Sequence, residues 1–230
     1  STESSGVMIL CRPLGEPGSD EYSFAMSEVD NKPLILGEEL NSALDLQDII
    51  FNIGITPNRP DCLSVIGIAR EIAALTGKKL KLPGTAIEER EENVELLTSV
   101  TVDDPDLCPR YSARIVKNLS NKPSPLWMRL RLEGAGIRAI SNIVDITNFV
   151  MLEMGQPLHA FDYRNLTEGR IVVRSSRVGE VFTTLDGKER ELKPDILLIC
   201  DGVKPVAIGG IMGGVNSEVN DHTETVLLES

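Results

Sequence analysis

The chain has 230 residues, 41% hydrophobic and 25% charged, which fits one large or two modest globular domains. A net charge of −12 excludes a surface coated in nucleic acid, and 4% aromatic content leaves the core to Leu, Ile, Val and Met. No apolar run reaches the ~18 residues of a membrane helix, and four scattered cysteines with two histidines argue against a disulfide framework or a zinc site.

Ser1-Thr-Glu-Ser-Ser5 lacks the basic and apolar regions of a signal peptide, so the expected compartment is the cytoplasm, with reduced thiols. The absent initiator Met suggests an excerpt of a longer protein. Residues 1–50 mix alternation, Gly, Pro and many acids, and read as short strands and turns at the end of another domain. Residues 52–64 form an extended segment broken by two prolines. A helix follows, capped by Asp61 or Ser64, with Val65, Ile68, Ala69, Ile72, Ala73 and Leu75 at helical spacing and Gly77 as its stop. Glu88, Glu89, Glu91, Glu92 and Glu95 mark a solvated linker and a domain boundary.

Strands are expected at 98–103 and 111–117. Ser124 as N-cap and Pro125 at N1 open a helix with Leu126, Trp127 and Leu130 on its apolar face, ended by Gly134 and Gly136. A second helix covers 142–154, from the spacing of Ile143, Ile146, Thr147, Val150, Met151 and Met154, and stops at Gly155. The period then changes from 3.6 to 2: strands at 171–173, 181–185, 196–200, 206–208 and 225–228, with a hairpin turn at Asp186-Gly187. Helices and strands in blocks predict an α+β fold of mixed helices and β-sheets.

Four features have a functional reading beside a bland one. Residues 110–138 carry seven basic side chains, Arg129 and Arg131 among them, against Glu133 alone. They form either a solvated face or a docking surface for one end of an RNA. His159 follows a Gly–Pro helix stop, on a loop. It suits proton transfer, or simply bonds a nearby carbonyl or Asp162. The run Gly209-Gly210-Ile-Met-Gly213-Gly214 lets the backbone approach a ligand closely, or makes a tight turn. Glu229 ends an apolar run as a strand end reaching water or as a buried specificity group.

Three long blocks resemble the bacterial phenylalanyl-tRNA synthetase β subunits: Ile55-Thr-Pro-Asn-Arg-Pro-Asp-Cys-Leu-Ser64 running into residues 67–74, residues 142–148 with 155–162, and Gly210-Ile-Met-Gly-Gly214 with 217–219 and 226–229. The match covers about residues 52–82 and 109–230; the first 50 residues match only loosely. The resemblance implies the tail of an OB-type insert at 1–50, a B1-like α/β segment and linker at 51–95, and a B3/B4-type editing domain at 96–230, truncated at its C-terminal end. Family members continue into a further pocket element, so the last strand is expected to lack its next partner and fray.

The implied activity is hydrolysis of tyrosine wrongly attached to tRNA(Phe). By motif, Thr147 and Asn148 line the pocket, His159 is the catalytic-site histidine that either places the water or grips the terminal adenosine, Gly210 presents its backbone and Glu229 recognises the tyrosine hydroxyl. Arg129 and Arg131 become candidates for facing the tRNA. Gly209 departs from the Ala usual in the family. The implied partners are the 3′ end of tRNA(Phe) and the synthetase α subunit in an α2β2 assembly, with no membrane and no DNA. ATP and Mg2+ belong to the aminoacylation site of the parent enzyme, and no cofactor or metal is expected in this chain. The rival readings are a non-catalytic tRNA-binding scaffold and a free-standing deacylase of the same fold.

Overall fold

Residues 28–29, 32–33, 35, 38–44, 46, 48–89 and 92–230 are described in the computed structural model. The chain divides into two units, Ser1–Gln47 and Asp48–Ser230. In the first, β1 (Glu28–Val29) pairs antiparallel with β2 (Lys32–Pro33), and α1 (Leu40–Ala43) is a single turn. The rest of the expectation for residues 1–50 lies outside the described residues. The residues on both sides of the expected 95/96 boundary belong to the second unit.

In that unit the Ser64 hydroxyl accepts the Gly67 N–H at 3.1 Å and starts α2 (Val65–Thr76), which Gly77 ends at φ 67°. The buried side of α2 differs from expectation. Ile66 and Gly67 are buried, whereas Val65, Ile72 and Leu75 are open, Leu75 at 84% exposure. Periodicity finds an apolar stripe but not the neighbour that covers it. Gly67 is the point of closest approach, since a methyl there would coincide with the Asp61 carbonyl oxygen. Gly67→Ala is therefore expected to lift α2 off the preceding turn and cost about 1–3 kcal/mol. The readout is a lower denaturation midpoint; an unchanged midpoint would mean that the turn yields without cost.

Next come β3 (Val100–Val102), shorter than 98–103, β4 (Ala113–Lys117) and α3 (Leu126–Gly134). Pro125, not Ser124, is the N-cap of α3. The Ser124 hydroxyl instead donates at 2.6 Å to Asp145, a buried carboxylate in the first turn of α4 (Asn142–Met154) that also accepts the Ile140 N–H at 2.8 Å. A long-range polar partner has won over the local cap. Gly155, at φ 78°, ends α4 where the sequence places the stop.

The remainder is β5 (His159–Asp162), β6 (Ile171–Ser175), β7 (Val181–Thr183), β8 (Glu189–Glu191), β9 (Leu197–Cys200), β10 (Pro205–Ile208), β11 (Met212–Gly213) and β12 (Thr225–Glu229). β7 and β8 form the hairpin around Asp186-Gly187. A five-stranded sheet has the order β11-β10-β9-β6-β3, parallel only between β3 and β6. A three-stranded antiparallel sheet has the order β4-β12-β5. The α+β expectation holds.

The two sheets close on one core, where Phe161 of β5 and Leu227 of β12 meet Ile171, Val173, Ile199 and Val206. On the other face of the three-stranded sheet, Ile143 of α4 packs on Ala160 and Val226. The expectation of an unpartnered last strand does not hold: β12 is central, with Glu229 in register with Ala113 on one side and His159 on the other. Its partners lie far away in sequence, where local patterns say nothing. The acidic stretch is exposed as expected, with Glu89 and Glu92 forming surface ion pairs to Arg114 and Lys117 along β4, at 3.1 and 2.6 Å. Among the described residues, no helix is long and apolar enough to cross a membrane, and Cys62, Cys108 and Cys200 are free thiols.

Candidate active site

Strand alternation sorts the site residues. On β5, Ala160 faces α4, so His159 and Phe161 face the space between the sheets. On β12, Val226 faces α4, so Leu227 and Glu229 face that same space. His159 and Glu229 are direct cross-strand neighbours and stand on one face at the end of the sheet. His159 thus begins a strand, not a loop as the Gly–Pro stop suggested; the turn is finished by residue 158, and pairing with β12 captures the histidine.

The opposite sheet contributes Gly213 of β11. A methyl on Gly213 would sit 2.6 Å from His159 Nε2, so only glycine leaves room for the imidazole. The ring also packs edge-on against Phe161, with centroids 4.7 Å apart. Its nitrogens make no hydrogen bond among the described residues. Asp162 is not its partner, since that buried carboxylate lies on the other face and accepts from Thr223 at 2.7 Å and from Arg164 at 2.8 Å. Burial pushes the His159 pKa below the usual imidazole range, which keeps the ring neutral at physiological pH.

Glu229 is half-buried, and its Oε2 accepts a hydrogen bond from the Tyr111 phenol. Burial raises its pKa to about 7, the effect being partly offset by that donated bond. Tyr111 is shifted upward in turn, by burial first and then by the Glu229 charge, so it remains a protonated donor. At neutral pH the site therefore holds a neutral imidazole beside a carboxyl group poised between its two states.

The other expected site residues are placed less directly. Thr147 is buried on α4, and its hydroxyl donates to the Val144 carbonyl of its own helix at 2.7 Å. Asn148 is half-buried and makes no side-chain hydrogen bond among the described residues. Gly210 is in the tight turn joining β10 to β11, at φ 68° with open space where a side chain would be. The glycine run is thus a turn, and its far end delivers Gly213 to His159. Sequence reading missed Gly213, which lay within the flagged run, and Tyr111, whose only signal was a polar-tipped ring at the start of an expected strand.

The basic stretch is partly neutralised by the Glu89 and Glu92 pairs. Arg131 is exposed, its guanidinium 5.7 Å from the centre of the Trp127 ring, whereas Arg129 is half-buried with its Nε sealed and unpartnered. Asp61, Cys62 and Glu71 are close enough together to hold a cation, but Arg59 already bridges the two carboxylates at 2.9 and 2.6 Å.

Residues 107–230 match the B3/4 domain family. The chain is 63% identical over 197 residues to the phenylalanine–tRNA ligase β subunit of Syntrophus aciditrophicus, covering 86% of this chain and 24% of that protein. It is 51% identical over 228 residues to the β subunit of Geobacter sulfurreducens, covering 99% and 28%. The crystal structure of an N-terminal fragment of the Pyrococcus horikoshii phenylalanyl-tRNA synthetase β subunit aligns at TM-score 0.44 and 19% identity, over 75% of this chain and 52% of that one. The chain spans about a quarter of the length of these curated relatives.

Proposed function

Since this chain belongs to the B3/4 domain family, we propose that it is the editing portion of a phenylalanine–tRNA ligase β subunit and hydrolyses tyrosine wrongly attached to tRNA(Phe). The observation that carries the reading is the cross-strand pairing of His159 with Glu229, against the bare backbone of Gly213. Neutral His159 has a ring nitrogen to accept a proton from water as the water adds to the ester carbonyl. The same proton then goes to the departing ribose oxygen, releasing tyrosine and intact tRNA. Because the ester is already activated, holding water and acyl group in line supplies much of the acceleration.

Tyrosine differs from phenylalanine by one hydroxyl, which an apolar charging pocket rejects only about 10²-fold. A second site built around Glu229 sorts the two better, since phenylalanine would shield the carboxylate oxygen not held by Tyr111 and give it no donor. Thr147, Asn148 and Gly210 are proposed to line the acyl pocket, and Arg129 and Arg131 to face the tRNA end. The aminoacylation site, with ATP and Mg2+, is assigned to a partner α subunit in an α2β2 assembly in the cytoplasm. Neither a decayed scaffold nor a free-standing deacylase is favoured: the His159–Glu229 pair is assembled, and the relatives are synthetase subunits four times longer.

The test is single-turnover deacylation by the complete synthetase, in which Tyr-tRNA(Phe) should be cleaved well ahead of Phe-tRNA(Phe). Equal rates on the two, or no cleavage, would remove the reading. The tRNA-facing assignment makes its own prediction. Arg129→Gln with Arg131→Gln should raise KM for deacylation and flatten the log–log salt dependence of tRNA binding by about 1–1.5, at roughly 0.7 per lost phosphate contact. Parent and variant should converge at high salt; an unaltered slope would return the segment to a solvated face.

A further inference from the structure

We propose that Tyr111 is a positioning residue for the specificity carboxylate: its phenol holds one oxygen of Glu229, so that the other is the one offered to a substrate hydroxyl. This rests on the editing reading of Glu229 given above. Tyr111 precedes β4 by two residues, and Ala113 is in register with Glu229, so Tyr111 and Ala113 share a face and the ring is a diagonal neighbour of the carboxylate. The partly buried ring packs against the core cluster between the sheets, to which Phe161 and Leu227 belong, and this fixes it in place. A carboxylate has about four acceptor positions on two oxygens. Tyr111 takes Oε2, while Oε1 makes no hydrogen bond among the described residues and is not sealed from solvent.

The contact is chemically the same as the one proposed for substrate, a phenol donating to a carboxylate. Its donation favours the ionised acid, and an ionised acid accepts a second phenol strongly while offering nothing to a phenylalanine ring. A protonated Glu229 would itself be a donor and would distinguish the two side chains poorly. Among the described residues the titratable groups near Glu229 on this face are His159 on β5 and, ahead of β4, Tyr111 with Cys108 beside it; Lys117 shares the face but stands at the far end of β4, opposite Thr225. Arg114 on β4 and Asp162 on β5 occupy the opposite face, and β11 brings only Met212 and Gly213.

The test compares Tyr111→Phe with Glu229→Gln in the complete synthetase, by single-turnover deacylation of Tyr-tRNA(Phe) and Phe-tRNA(Phe) across pH. Tyr111→Phe keeps the ring, and unchanged phenylalanine charging reports an intact fold. Near pH 7 the tyrosine-to-phenylalanine rate ratio should fall by about 3–10-fold, the effect of one net hydrogen bond. Losing a bond that favours the charged form should also move the acid limb of the tyrosine reaction to higher pH, with the ratio recovering in alkali. If Glu229→Gln collapses the ratio while Tyr111→Phe changes neither ratio nor limb, Tyr111 only packs and the editing reading stands. Should Glu229→Gln leave the ratio unchanged as well, the reading of Glu229 fails and the inference with it.

Discussion

His159→Ala in the complete synthetase is expected to slow deacylation of Tyr-tRNA(Phe) by about 10²–10⁴-fold, the usual contribution of one general base. Phenylalanine charging should stay close to parental, and Tyr-tRNA should accumulate. The size of the effect follows from the setting. The ring is neutral through burial, its nitrogens are unpartnered among the described residues, and Gly213 and Phe161 hold it from two sides, while the neighbouring Glu229 carboxyl is engaged by Tyr111. The pH dependence has a definite sign. A depressed imidazole pKa places the loss of activity caused by protonating His159 below the ordinary histidine range, near 6.5, and so beneath the limb set by Glu229 at about 7. Parallel loss of phenylalanine charging would show that His159 is structural.

Much of the fold is legible in the sequence wherever the signal is local. Ser64 and Gly77 bracket α2, Gly155 stops α4, and Asp186-Gly187 turns the β7–β8 hairpin, each through backbone chemistry confined to a few residues. The failures are all matters of long-range pairing. Ser124 leaves its helix for Asp145, twenty-one residues on. Leu75 has helical spacing yet no cover. The strand that ends at Glu229 looked terminal in sequence but is central in space, because β4 and β5 come to it from elsewhere in the chain.

The site divides in the same way. His159 and Glu229 could be singled out as chemistry-bearing residues at the edges of apolar runs, but their adjacency depends on the β5–β12 register, which no local pattern carries. Tyr111 and Gly213 were invisible as site residues because their roles consist of a hydrogen bond and a close approach across the fold. The resemblance to synthetase β subunits named both strand ends without showing why they meet.

Glu229 is where the central claim is most exposed. If its carboxylate reads the tyrosine hydroxyl, a charge-assisted bond contributes on the order of 1.5–3 kcal/mol to holding the mischarged substrate, or roughly 10–150-fold. The same group opposes phenylalanine, whose ring edge would shield it from water and leave its Oε1 without a donor. Glu229→Ala removes the attraction and the penalty together, so the two substrates should move in opposite directions. A structural acid behaves otherwise, since its loss depresses both. Because the change also strips Tyr111 of its partner, unchanged phenylalanine charging must accompany the assay as a check on folding. The decisive measurement is single-turnover deacylation of Tyr-tRNA(Phe) and Phe-tRNA(Phe) by parent and Glu229→Ala enzymes in the full α/β assembly. The account predicts slower cleavage of the tyrosyl ester and faster cleavage of the phenylalanyl ester; a tyrosine-to-phenylalanine ratio equal to the parent's would contradict it.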